Sequence, residues 1–195
     1  GRGTNGGLYR VTWKGKVPAE VSNLGEGITT AIRMPQLQSA WARQKLAKLK
    51  ADMGDGWQRQ LIGVASSESN PAEYRTRALE LLQLFGNPPD LPLLELLAQD
   101  KSDVVRAKAA ELLGLQSSDE AAKRLVTLLK DSDGHVRRRA AESLARQESS
   151  VALEYMRPVL ASEDRFESWA ARRLLELQPT SEWKESVLAS PNPRV

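Results

Sequence analysis

Val105-Arg106-Ala107-Lys108-Ala109-Ala110-Glu111-Leu112-Leu113 decides the fold, because the chain repeats it. Tyr74-Arg75-Thr76-Arg77-Ala78-Leu79-Glu80-Leu81-Leu82 stands 31 residues earlier, and Val136-Arg137-Arg138-Arg139-Ala140-Ala141-Glu142-Ser143-Leu144 stands 31 later. A fourth copy, Phe166 to Leu174, follows at a step of 30, and a degenerate one, Trp41 to Leu49, lies 33 before the first. Apolar residues recur at i, i+4 and i+8, as Val105, Ala109 and Leu113 do, and at about 100° per residue these form one stripe of an α-helix. One buried stripe per helix, repeated at this period, predicts a solenoid whose units cover each other's apolar faces.

Further amphipathic runs fall between the copies, over 57–66, 91–98, 121–129, 151–160 and 183–188. Each unit therefore reads as helix, turn, helix. The turn chemistry agrees. Asn70 before Pro71 and Asp90 before Leu91-Pro92 read as N-caps with proline in the first turn. Gly86 reads as a helix stop, and Ser102 and Asp133 as further caps.

An Asp, then Val-Arg, then Ala-Ala recurs as Asp100…Val105-Arg106…Ala109-Ala110 and as Asp131…Val136-Arg137…Ala140-Ala141. This pattern resembles the HEAT-repeat family over about residues 57–190, and within it the short phycobilisome-lyase variety. The resemblance implies an all-α fold, an α-α superhelix. It also implies an inter-repeat ladder of Asp and Arg, here Arg75, Asp100, Arg106, Asp131 and Arg137. Glu167 stands where the fourth copy should have arginine, so the ladder is expected to stop or reverse there.

Leu8-Tyr9-Arg10-Val11-Thr12-Trp13 alternates as a β-strand does, Lys14-Gly15-Lys16 supplies a turn, and residues 17–37 have no sustained period. The expected organisation is an extended segment over 1–37 containing one short strand, then a repeat array over 38–190 of about four helix pairs with terminal half-repeats. Residues 6–13 and 35–44 are similar to the junction in certain large bacterial proteins where a β-propeller gives way to HEAT repeats and a c-type cytochrome domain lies further on. That similarity implies that the strand belongs to a preceding propeller blade.

With 195 residues, 41% of them hydrophobic, the chain can build a sizeable core. No run approaches the roughly eighteen apolar residues of a membrane span. The absence of cysteine excludes disulfides, thiolate catalysis and sulfur-ligated zinc. His135 is the only histidine and sits in a turn, which leaves no serine–histidine–carboxylate set, and a histidine-based metal site would need several carboxylates beside it. Gly1-Arg2-Gly3-Thr4-Asn5-Gly6 spells a dinucleotide fingerprint but has a strand after it in place of the helix whose N-terminus would receive the pyrophosphate. No catalytic, cofactor or metal residue is assigned, and the chain reads as a non-enzyme.

The net charge of +3 is unevenly placed: residues 1–60 hold ten Lys/Arg against four Asp/Glu, and the rest hold eighteen against twenty-one. In the repeats a basic column, Arg77, Lys108 and Arg139, runs three residues ahead of an acidic one, Glu80, Glu111 and Glu142. Such pairs lie within i,i+3 reach and neutralise one another. Nucleic-acid affinity needs unopposed cations, so the columns speak against that partner, and only Arg137, Arg138 and Arg139 are locally dense enough to offer it. In the fourth copy Trp169 falls at the basic position and Arg172 at the acidic one. Trp and Arg dominate binding hot spots. The expected partner surface is therefore Arg138, Trp169 and Arg172, facing another protein or a neighbouring domain of the same polypeptide, while the tryptophans at 41, 57 and 183 fall on apolar stripes and are expected in the core.

Overall fold

A computed structural model describes residues 9–12, 14–15 and 24–195. Its described residues form eleven helices: α1 (Ile28–Arg33), α2 (Ala40–Met53), α3 (Gly56–Ser66), α4 (Ala72–Phe85), α5 (Leu91–Leu97), α6 (Asp103–Leu113), α7 (Asp119–Leu128), α8 (Gly134–Arg146), α9 (Leu153–Leu160), α10 (Arg165–Glu176) and α11 (Thr180–Leu188). Among these residues there is no strand. Tyr9 and Val11, of the segment that alternates like one, are 88% and 96% exposed, and Leu8, Trp13 and the Gly1–Gly6 glycine motif lie outside the described residues.

Helices α3, α5, α7 and α9 come first in their pairs and α4, α6, α8 and α10 second. The second helices pack side by side, α4 on α6, α6 on α8 and α8 on α10, and each rests on its own first helix. The stripes read from the sequence meet in this layer: Leu79, Leu82, Val105, Ala109, Leu113, Val136, Ala140, Leu144, Ala170 and Leu174 have no exposed surface. Each buried leucine contributes about 2 kcal/mol of transfer free energy, and the alanines let neighbouring helices come close. The tightest approach is at Gly114, where a Cβ would meet Ser143 Oγ at 2.5 Å. Ser143 uses the same proximity to donate to the Ala110 carbonyl at 2.8 Å.

The second helices begin at 72, 103, 134 and 165, a constant step of 31. This corrects the step of 30 for the fourth copy. Asp164 stands 31 after Asp133 and both cap: Asp133 Oδ1 accepts from Val136 N at 3.0 Å, and Asp164 Oδ1 from Phe166 N and Glu167 N at 2.8 and 2.9 Å. Glutamines keep the same step at 116, 147 and 178, a polar series outside both the apolar stripes and the charge columns. Gln116 donates to the Pro89 carbonyl at 3.1 Å, Gln147 to those of Leu113 and Gln116 at 2.9 and 2.6 Å, and Gln178 to those of Ser149 and Leu174 at 3.1 and 3.0 Å. These amides satisfy carbonyls that helix ends and turns leave free, and they tie successive repeats.

The N-terminal region departs from expectation. Residues 17–37 were expected to be extended, yet α1 forms within them and buries Ala31 and Ile32, with Met34 and Leu37 following. Six residues are too few to show a period in the sequence. It is α1 that packs against α4, while the degenerate copy Trp41–Leu49 lies in α2 and packs on α3. Trp41 is accordingly 49% exposed and not in the core, whereas Trp57 is 1% exposed. Asn70 does not cap α4; its side chain donates to the Val64 carbonyl at 3.2 Å. At the other end, Trp183 and Val187 of α11 rest against the core, and Trp183 Nε1 donates to the Gln178 carbonyl at 3.2 Å.

Candidate interaction surface

Three arginines run along the seam between repeats. Arg75 and Asp100 form a buried bidentate pair, and Arg75 Nε also donates to the Ala65 carbonyl at 2.9 Å. Arg106 reaches Asp131 with Nε and Nη2, both at 2.8 Å, and the Asp100 carbonyl with Nη1 at 2.9 Å. Arg137 repeats this, donating to the Asp131 carbonyl at 2.8 Å, but its forward partner is Glu167, at 2.6 Å from Nε. Position 162, which is 31 after Asp131, is a serine; its hydroxyl donates to Glu167 Oε2 at 2.7 Å. The ladder therefore does not stop before the fourth repeat. It gains a third rung whose carboxylate comes from inside α10, and ends there because α10 offers no arginine at that site.

The rungs shift the titration of their members. Burial pushes the Asp100 and Asp131 carboxyls up, but the guanidinium hydrogen bonds, the backbone N–H groups of Ser102 and Asp133 and nearby cations outweigh it and hold both below the usual carboxylate range. Arg106 and Arg137 are raised, chiefly by hydrogen bonding to Asp131 and Glu167. The donors of these arginines go to carboxylates and carbonyls of the fold, which ties one repeat to the next.

The charge columns are paired as well. Arg77 Nη1 lies 2.9 Å from Glu80, Lys108 Nζ 3.1 Å from Glu111 and 3.3 Å from Glu80, and Arg139 Nη1 2.9 Å from Glu142. Arg138 shares Glu142, at 2.7 Å from Nε. Each arginine of the dense Arg137-Arg138-Arg139 run thus has a carboxylate partner, Arg138 and Arg139 sharing Glu142. His135 is exposed, and no group of three or more metal-ligating side chains occurs among the described residues.

α10 breaks this pattern. Glu167, not Phe166, enters the core at the head of its stripe, because Glu167 stands 31 after the buried Val136. Phe166 is turned outward and is 49% exposed, and Trp169 is 53% exposed, too much to be closing a gap between helices. Trp169 stands 31 after Arg138, and Arg173, not Arg172, stands 31 after Glu142. The acidic column therefore changes sign in the last repeat. Phe166, Trp169 and Arg173, at i, i+3 and i+7, make one stripe opposite the buried side, with Arg165 and Arg172 on the stripe beside it. Guanidinium groups frame the rings: Arg138 lies 5.2 Å and Arg165 4.8 Å from the Phe166 centroid, and Arg173 5.8 Å from that of Trp169. Arg173 is paired with Glu176. Arg172 is exposed and makes no ion pair or hydrogen bond among the described residues. Of the three residues expected here, Arg138 stacks on Phe166 and Trp169 lies one turn along the same stripe, while Phe166 itself reads in the sequence as the apolar head of the fourth copy.

A search of known families matches this region. Residues 91–176 fit the family model of HEAT repeats. The matched span begins at the first residue of α5 and ends at the last of α10, so it takes in three helix pairs and the whole aromatic face. HEAT repeats commonly mediate protein–protein interaction. No curated protein matches the chain. Among the described residues no helix is long and apolar enough to cross a membrane.

Proposed function

We propose that this chain is a non-enzymatic scaffold or protein-binding module of a larger bacterial protein, and that it holds another protein or a neighbouring domain on the outer face of α10. One observation carries the reading: two aromatic side chains about half exposed and framed by arginines, on the repeat that follows three whose charge columns are paired. Rigid aromatics and arginine supply most binding energy at protein interfaces for little loss of side-chain freedom. The HEAT-repeat match supports a binding role in general. The lyase-like repeat variety and the propeller and cytochrome surroundings belong to this proposal through sequence resemblance. So does the short strand, as a strand of a preceding blade.

The test is Trp169→Ala combined with Arg172→Ala. The double variant is expected to keep the helical circular dichroism and melting temperature of the parent while losing capture of partner proteins in a pull-down. Loss of folding would make the two residues structural and end the reading. Salt-sensitive binding of duplex DNA at low ionic strength would point instead to Arg137, Arg138 and Arg139 as a nucleic-acid surface.

A further inference from the structure

The chemistry of the α10 face says what kind of partner it fits; this step rests on the binding role just proposed. Charge comes first. Arg165 and Arg172 have no carboxylate partner among the described residues. The acids nearest in sequence make their close contacts elsewhere: Asp164 caps α10, though its charge is also felt by Arg165 and Arg138, Glu163 lies 3.4 Å from Arg194, Glu176 holds Arg173, and Glu142 holds Arg138 and Arg139. Two guanidinium groups are left, each able to take a carboxylate in a planar, bidentate fork.

Spacing comes second. Arg165 and Arg172 are seven residues apart, two turns of one helix, and so about 10 Å apart along the same stripe. A peptide in the polyproline II conformation rises about 3.1 Å per residue with three residues per turn, so side chains at i and i+3 share a face about 9 Å apart. The two repeats match. Between the arginines the rings of Phe166 and Trp169 offer apolar surface at the edge of the same stripe.

We infer that the α10 face binds an extended acidic peptide segment with carboxylates three residues apart, seated on Arg165 and Arg172, and an apolar side chain between them resting on Phe166 and Trp169. The paired columns of α4, α6 and α8 leave no row of free cations crossing those repeats, which suits a short acidic segment on α10 and not a polyanion tracking across several of them. Arg138 and Arg173 act through the rings, holding Phe166 and Trp169 in place by cation–π contact.

The experiment uses the full chain and a fluorescein-labelled peptide of repeated Glu-Pro-Leu units, which sets glutamate at every third position. Fluorescence anisotropy is expected to show saturable binding that weakens as salt rises. The Gln-Pro-Leu counterpart should bind at least about tenfold more weakly, and Arg165→Ala with Arg172→Ala should lower affinity for the acidic peptide by a similar factor while leaving the melting temperature unchanged. Trp169→Ala should weaken both peptides. Equal affinity for the glutamate and glutamine peptides would overturn the acidic specificity and leave the binding face standing. Tighter binding of an oligothymidylate of matched charge would overturn it in favour of nucleic acid, and no binding of the acidic peptide at millimolar concentration would overturn it outright.

Discussion

Arginine does opposite work in two regions of this molecule. Along the inter-repeat seam Arg75, Arg106 and Arg137 are enclosed, each bonded both to a carboxylate and to a backbone carbonyl. On the outer face of α10, Arg165 and Arg172 stand in solvent without a carboxylate, beside rings that are about half exposed. The same side chain is a fastening where its donors are satisfied within the fold, and a point of contact where they are not. If that is right, damage to the seam lowers stability, and damage to the face lowers binding alone.

Acid attacks the seam hardest, because it acts on two rungs at once. The folded-state carboxyls of Asp100 and Asp131 are depressed below their unfolded values, so the stability they contribute is fully present above about pH 4 and is lost as pH falls through the folded values. Melting temperature should hold from neutrality to mildly acidic conditions and then drop. A profile equally steep between pH 7 and 5 would mean that other groups set the acid limit. Next comes Arg75→Ala. It leaves the Asp100 carboxylate, 5% exposed, without its guanidinium, and an uncompensated buried charge costs about 3–5 kcal/mol. Urea denaturation should show that loss, and Arg75→Ala with Asp100→Ala should restore part of it. A loss as small as a surface substitution gives would break the comparison.

Gly114→Ala tests the helix contact beside the same seam. Its Cβ would lie 2.5 and 2.6 Å from Ser143 Oγ and Cβ and 3.0 Å from Ser143 Cα, and the backbone atom cannot turn away as a side chain can. Separating α6 from α8 should cost about 1–3 kcal/mol by urea denaturation. Ser143→Gly in the same chain should recover much of it. No cost from Gly114→Ala would show that the helices slide freely, and that the seam is held by its ion pairs alone.

The sequence disclosed the seam more fully than the face, for a physical reason. Stripes, caps and the Arg–Asp alternation repeat at 31 residues, and repetition shows through a single chain. The face exists where repetition fails. Serine at 162 moves the acidic partner of Arg137 to Glu167, Glu167 takes the buried place, and Phe166 is thereby turned outward. By residue likeness the fourth copy falls at a step of 30, with Arg172 on the acidic column. The caps at Asp133 and Asp164 and the glutamines at 147 and 178 keep a step of 31 and put Arg173 there. Polar residues held the register, and the apolar pattern misled by one. α1 left no trace because six residues show no period, and because it packs on α4, where Arg33 donates to Tyr74 at 3.1 Å across 41 positions of sequence.

The smallest effect falls between the two regions, at the charge columns. Lys108 joins repeats by reaching Glu80 at 3.3 Å as well as its own Glu111 at 3.1 Å, yet the acid side chains are 35% and 31% exposed. Water screens such pairs, and a double-mutant cycle on Lys108→Ala and Glu80→Ala should give a coupling of only about 0.2–1 kcal/mol that fades in high salt. A coupling that survives high salt would make the columns part of the seam, with their neutrality a by-product of fastening. Coupling that vanishes in salt, with no effect on peptide binding, would leave the columns one role. They cancel charge along α4, α6 and α8, while α10 in the same row presents Arg165 and Arg172 without an ion-pair partner among the described residues.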